Sequence, residues 1–322
     1  MRALVVAELG APPELRDVPA PGPGKDEALL EVVAAPLNPV DLGVASGRFF
    51  AGAPPVPYVA GAEAVGRVLR SSVHEAGSLV WTGMQGLGVD RDGCLAERVV
   101  ARERSLVAVP EGADPAMAAA MGIAGLAGFL PLAWRARLRP GETVLVLGAT
   151  GVVGQVAVQS ARVLGAGRVV AAGRRAAALA RCLELGADEA VELGGQPGLA
   201  EELRAACGGE GPNVVVDPLW GEPAVAALAA AAPGARIVQL GQSAGPEAAI
   251  PSGIVRGKQL DLLGYTNLRV PGDVLADGYR TLVGHAIAGR VSVDVERVPL
   301  ERAAEAWRRQ AAGPDVKLVV CP

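Results

Sequence analysis

At 322 residues the chain is long for one compact core, and two domains are expected. Apolar residues make up 51% and charged residues 20%, which excludes a disordered chain and suits a globular enzyme. The net charge of −4, with no block of Lys and Arg, leaves a nucleic-acid partner without support.

In chain order, the opening MRALVVAELGAPPELRDVP has one Arg, a brief apolar run and then acid and proline, without the long apolar region of a signal peptide. Residues 1–114 read as short strands broken by Gly and Pro: RALVVAE, EALLEVVAA, AEAVGRVLR, LAERVVA and LVAVP. That pattern predicts a small β-rich, barrel-like unit. One helical turn interrupts it at NPVDLGVASG, with Asn38 as N-cap, Pro39 as first helical residue and Asp41 in the acidic first turn. Ala116 to Trp134 carries no charge and approaches the length of a membrane span. Its Ala and Gly content and Pro131 make it a buried helix instead, and no membrane partner is expected.

From about 115 the pattern changes to apolar strands alternating with alanine-rich helices. The strands are TVLVL (143–147), VVAA (169–172), AVEL (190–193), VVVD (214–217), RIVQL (236–240) and DLLGY (261–265). Helices are expected over 152–164, 174–185, 197–207 and 222–232, with a shorter one near 251–257. Six strands joined by helical crossovers predict an α/β fold with a doubly wound parallel sheet over 115–268. After it come a helix over 271–289 and two strands around one more helix. Such a tail cannot bury itself alone, so 269–322 is expected to return to the first domain.

The four cysteines, at 94, 182, 207 and 321, form no C-x-x-C pair, and the only histidines are His74 and His285. This is neither a disulfide framework nor a zinc ribbon, and it fits a reducing cytoplasm. A catalytic zinc usually takes three ligands from His, Cys, Asp or Glu, so no metal is expected. Cys94 has no His or Lys near it in sequence and is read as inert.

The chemistry is carried by GATGVVG. Ala149, Thr150, Gly151, Val152, Val153 and Gly154 make an A-x-G-x-x-G fingerprint between the first strand of the second domain and its helix. A tight turn leaves the strand, Gly151 lets backbone approach a pyrophosphate, and Gly154 lets the helix pack close. The second strand then ends in Ala171, Ala172 and Gly173, where NAD-specific proteins place an acid against the ribose. Arg174 and Arg175 follow at once, at the wrong end of a helix dipole. A 2′-phosphate supplies the missing anion, since guanidinium forks suit phosphate oxygens. The expected cofactor is therefore NADPH.

The chain resembles the medium-chain dehydrogenase/reductase superfamily, in its zinc-free quinone oxidoreductase (zeta-crystallin-like) branch. The resemblance rests on NPVDLGVASG, GAEAVGRV, GCLAERVVA, PGETVLVLGATGVVGQVAVQSARVLGA, VVVDPLWG, IVQLGQSAG and the closing VPLERAAEAW and VKLVV, in the family's order. It implies a GroES-like catalytic domain built from both termini and a Rossmann domain between them. It also implies hydride transfer from NADPH to a quinone or an electron-poor C=C, usually in a homodimer. Zinc-dependent relatives have histidine before the glutamate of a G-H-E stretch; here it is Ala62, between Gly61 and Glu63. Gly43, Phe49 and Ala127 stand where relatives often have hydroxyl-bearing side chains, so the acceptor's proton is expected from water.

Asn38 and Asp41 match the family's N-x-x-D pair near the nicotinamide ribose and substrate, and plain helix capping explains them equally well. Glu63 is read as a structural carboxylate. Pro218, Leu240, Gly241 and Gln242 follow strand ends at the crevice expected to hold the nicotinamide. Phe49, Tyr58 and Tyr265 are candidates for lining a substrate cleft, or equally core anchors. Two other readings stay open: a reductase dedicated to one bulky apolar pathway intermediate, and a non-enzymatic protein that binds NADPH. A short-chain reductase is excluded, because no tyrosine is followed at the proper spacing by lysine.

Overall fold

The computed structural model describes residues 1–195, 197–314 and 316–322. The described residues form two compact units. The first begins with β1 (Arg2–Val6), β2 (Glu14–Asp17), β3 (Glu27–Pro36), α1 (Pro39–Ala45), β4 (Tyr58–Val59), β5 (Val65–Arg70), β6 (Leu79–Trp81), β7 (Arg98–Arg102) and β8 (Val107–Ala108). Three of these, β2, β4 and β6, are too short or too polar to announce themselves in the sequence.

A run of helical turns follows over Pro115–Arg135, containing α2 (Pro115–Ala120) and α3 (Leu126–Leu130) with wider turns after each. An 18-residue window of it has mean hydropathy 1.8, enough to cross a membrane, and 78% of that window is buried inside the protein. The sequence puts the domain boundary before Pro115, whereas the first unit runs on through Ala124. The cause is local: Tyr279 Oη donates to Ala118 O at 3.2 Å, and Ile123 N–H donates to Glu63 at 2.8 Å.

The second unit spans Gly125–Val270 with Arg290–Ser292. Its elements are β9 (Thr143–Leu147), α4 (Val152–Val163), β10 (Arg168–Gly173), α5 (Ala176–Glu184), β11 (Glu189–Glu192), α6 (Leu199–Ala206), β12 (Val214–Asp217), α7 (Gly221–Ala230), β13 (Arg236–Gln239), α8 (Ser252–Lys258) and β14 (Asp261–Gly264). The strands form one parallel sheet ordered β11-β10-β9-β12-β13-β14. Val144, Leu145, Val146 and Leu147 are all inaccessible to solvent, as a central parallel strand covered on both faces requires. Each such side chain contributes roughly 1.5–3 kcal/mol by leaving water. The order reverses between β9 and β12, which is the switch point where this class of sheet opens a crevice.

The chain then gives α9 (Gly272–Ile287), β15 (Val295–Pro299), α10 (Ala303–Ala311) and β16 (Lys317–Cys321), which rejoin the first unit. β16 pairs antiparallel with β3 and parallel with β15, extending the sheet β15-β16-β3-β5-β6-β8, with β7 also on β3. Along β3, Ala28, Leu30 and Val32 point to the core at every second residue. A separate small sheet, β2-β1-β4, closes the other side of the core.

Candidate active site

The fingerprint lies beyond the carboxyl end of β9. Ala149 N–H donates to Ala172 O at 3.0 Å, so the turn is stitched to the end of β10. Gly151 caps α4 in an extended conformation with no side-chain cap bond, which leaves the first helical N–H groups open to a ligand. A Cβ on Gly154 would stand 2.5 Å from Ala149 Cα, so only glycine lets this helix lie so close to the strand. These features fit a dinucleotide: Thr150, Gly151, Val152 and Val153 would face its pyrophosphate.

Gly173 is buried at the end of β10, and the helix expected from residue 174 starts at Ala176. Arg175 is its N-cap with extended backbone, so both Arg174 and Arg175 stand exposed on the turn. Arg174 forms no hydrogen bond or ion pair with any described residue. No carboxylate lies among Ala171, Ala172 and Gly173. Across the switch point, Asp217 ends β12 fully buried, and one of its oxygens accepts from Leu219 N–H and Trp220 N–H, both at 2.9 Å. Burial raises its pKa. Leu240 N–H donates to Asp217 O at 2.9 Å, which brings Leu240, Gly241 and Gln242 beside Pro218.

The first unit holds a buried polar cluster. Asn38 Nδ2 donates to Glu63 Oε1 at 2.9 Å, and Lys317 Nζ donates to Asn38 Oδ1 at 2.6 Å and to Leu37 O at 2.7 Å. The other Glu63 oxygen accepts from Trp81 Nε1 at 2.7 Å and from Ile123 N–H. Asp41 accepts from Asn38 N–H at 2.7 Å and from Ala62 N–H at 2.8 Å. Asn38 therefore caps α1 with its backbone while its side chain bridges an ammonium and a carboxylate. Trp81 stacks on Tyr279 with ring centroids 4.6 Å apart. Desolvation raises Glu63 to about 7 and Asp41 to about 6, and lowers Lys317 to about 8.

Sequence reasoning misses Lys317 and Trp81. The available signal is a lysine at the head of the apolar run KLVV, in a strand that must be buried.

The substrate candidates separate. Phe49, in the first unit, is half-buried against the core and packs on Phe50 at 4.6 Å. Tyr58 is buried in β4 and lines a cavity of about 520 Å³ together with Arg91, Asp92 and Arg98. Tyr265 belongs to the second unit, where its hydroxyl donates to Asn267 Oδ1 at 2.5 Å, as a core anchor does.

Zinc-dependent members of the superfamily hold a metal at the G-H-E stretch, and the residues present here do not fit one. Ala62 offers no donor atom, both Glu63 oxygens are engaged by N–H groups, and burial pushes the Cys94 thiol well above its ordinary range. Among the described residues no group of three or more His, Cys, Asp or Glu is placed to hold a metal.

Residues 24–111 match the model of the alcohol dehydrogenase GroES-like domain, and residues 152–276 that of the zinc-binding dehydrogenase domain. A rat relative, quinone oxidoreductase-like protein 2, is 31% identical over 82% of this chain and 74% of its own length. A solved quinone oxidoreductase from Thermus thermophilus, described together with its NADPH complex, is 33% identical with a TM-score of 0.82 and full coverage of both chains. A solved NAD-dependent alcohol dehydrogenase is 29% identical with a TM-score of 0.88, also over the full length of both. With the glycine cradle, the switch-point crevice and the GroES-like sheet closed by both termini, these likenesses show the family: the chain belongs to the medium-chain dehydrogenase/reductase superfamily, in its quinone oxidoreductase branch, and is a nicotinamide-dependent oxidoreductase.

Proposed function

We propose that this protein is an NADPH-dependent, zinc-independent reductase that delivers hydride to a quinone or an activated C=C. The observation that carries the reading is the acid-free end of β10 followed by two exposed arginines. An NAD-type site accepts the ribose hydroxyl with a carboxylate, whereas Arg174 and Arg175 offer forks for a 2′-phosphate. The NADPH complex of the Thermus relative supports the same cofactor.

When bound, the nicotinamide supplies the hydride, and the protein's part is positioning. The open amides at the start of α4 would hold the pyrophosphate, and Pro218 and Leu240–Gln242 would border the nicotinamide at the switch point. By resemblance, the N-x-x-D pair Asn38 and Asp41 would serve the nicotinamide ribose and substrate; Lys317 and Glu63 fix the Asn38 side chain, and the Asn38 and Ala62 N–H groups fix Asp41. With Gly43, Phe49 and Ala127 lacking hydroxyls, the proton that completes reduction comes from water. The resemblance also implies a homodimer, which sedimentation velocity checks.

The test is a direct titration with NADPH and NADH, alongside turnover with a quinone and a simple enone offered separately in the presence of chelator. Charge-assisted hydrogen bonds of about 1.5–3 kcal/mol make the double variant Arg174→Ala, Arg175→Ala lose roughly ten-fold or more in NADPH affinity while NADH is unaffected. Equal wild-type affinity for both cofactors overturns the NADPH reading. Tight binding without turnover of either acceptor favours a reductase dedicated to one pathway intermediate.

A further inference from the structure

The stretch WRARLR, residues 134–139, closes the long apolar helix with three arginines in six residues. Trp134, Arg135, Arg137 and Arg139 line one cavity of about 330 Å³ with Arg236, Asp261 and Leu263. All of these residues belong to the second unit. The cavity is far from the fingerprint along the strands: Arg236 and Asp261 open β13 and β14, whereas Ala149–Gly154 follow the last residue of β9 in the same parallel sheet.

Two of the four guanidinium groups are committed. Arg236 pairs with Glu142 at 2.5 Å, and Arg135 donates to Gly264 O at 3.0 Å. Those of Arg137 and Arg139 form no hydrogen bond or ion pair with any described residue. Asp261 is the single carboxylate of the lining, so the cavity carries excess positive charge.

The backbone adds an independent observation. Arg137 has φ = +51°, the left-handed position that ends a helix and that ordinarily belongs to glycine or asparagine. The turn is held in place by Leu138 N–H donating to Leu132 O at 2.9 Å. Arg236 Nη1 braces it by donating to Ala136 O at 2.7 Å and Arg137 O at 3.2 Å. The backbone of Arg137 is thus strained while its guanidinium forms no hydrogen bond or ion pair with a described residue, which leaves the group open to a ligand.

We propose that this cavity is a second ligand site, for a phosphate ester that carries a flat ring. Arg137 and Arg139 take the phosphate oxygens, with Arg236 fixing their turn. Trp134, half-buried and meeting Tyr265 edge-on at 6.5 Å, offers the ring a stacking surface. The cavity's volume of about 330 Å³ falls at the small end of the range of small-molecule sites.

The experiment is calorimetric titration of the full chain with two probes, adenosine 5′-monophosphate and inorganic phosphate. The wild type is compared with Arg137→Ala/Arg139→Ala, Arg174→Ala/Arg175→Ala and Trp134→Leu. The monophosphate is expected to bind at least ten-fold more tightly than phosphate, to lose that binding in the Arg137/Arg139 variant, and to keep it in the Arg174/Arg175 variant. Trp134→Leu is expected to bring it down to the level of phosphate. Binding that survives in the Arg137/Arg139 variant, or that saturating NADPH abolishes in the wild type, assigns it to the cofactor cradle and overturns the proposal. Equal binding of both probes overturns the ring. A further variant, Arg137→Gly, is expected to melt at a higher temperature and to bind neither probe; a lower melting temperature shows that the arginine serves the fold and overturns the proposal as well.

Discussion

Glu63 accepts three N–H groups and still titrates at about 7, because full burial outweighs both those hydrogen bonds and the nearby Lys317. Asp41 is raised to about 6 by the same cause, and Lys317 is lowered to about 8. The signs give a stability profile. Between the ordinary values of 4.5 and 3.8 and these raised ones, the native protein holds more protons than the unfolded chain. The carboxyls' contribution is therefore fully present below the unfolded values and is lost as pH rises through about 7. Lys317 acts in the opposite direction: between about 8 and 10.5 the unfolded chain keeps the proton, so stability recovers as pH climbs through that window. The cluster thus produces a trough near pH 7–8. Glu63→Gln removes much of its acid-side wall. Urea midpoints at roughly pH 5 and pH 7.5 should differ less in that variant than in the wild type, and an unchanged difference contradicts the assignment.

At the scale of elements, the kink after α2 shows how one residue shapes both helix and site. Gly122 leaves helical geometry with ψ = −117°, which turns Ile123 N–H away from the helix and onto Glu63. A Cβ at Gly122 would overlap the Glu63 carboxylate and stand 2.6 Å from Trp81 Nε1. Gly122→Ala should therefore cost about 1–3 kcal/mol through overpacking, and more if the Ile123 bond breaks. Gly284, inside α9 with open space around it, is the contrast: Gly284→Ala should gain about 0.5–1 kcal/mol. Chemical denaturation of the pair decides it, and destabilisation of both by the same amount would sink the steric argument. The kink also marks where sequence reading stops. The strands of the parallel sheet are legible because most are compact apolar runs between glycines and helical alanines, β11 (EAVE) being the most polar, and the fingerprint is legible because its spacing has a mechanism. By contrast β4 is two residues long and β2 reads ELRD, so neither carries a periodic signal. Lys317 and Glu63 lie 254 positions apart, and only the closure of β16 on β3 makes them neighbours of Asn38.

For the molecule as a whole, that closure has a consequence for folding. The first unit is assembled from residues at both ends of the chain, whereas the second is nearly continuous between them. Leu318, Val319 and Val320 of β16 are wholly inaccessible to solvent and lie between β3 and β15, so the strand is interior rather than an edge. Ending the chain after Gly313 removes those three side chains, deprives β3 and β15 of a partner, and leaves Glu63 and Asp41 buried without Lys317. An uncompensated buried charge alone costs about 3–5 kcal/mol, and each lost apolar side chain adds about 1.5–3 kcal/mol. Against a typical total stability of about 5–15 kcal/mol, the first unit has no margin to absorb this. The second unit keeps its complete six-stranded sheet and its own core, because none of its strands comes from beyond Gly264. Limited proteolysis of the truncated protein should then cut freely within residues 1–124 and 271–313 while a fragment close to 125–270 persists. Equal protection of both regions would mean that β3 and β5 hold the GroES-like sheet without the returning tail, and that the two ends of the chain meet for the sake of the Lys317 cluster alone.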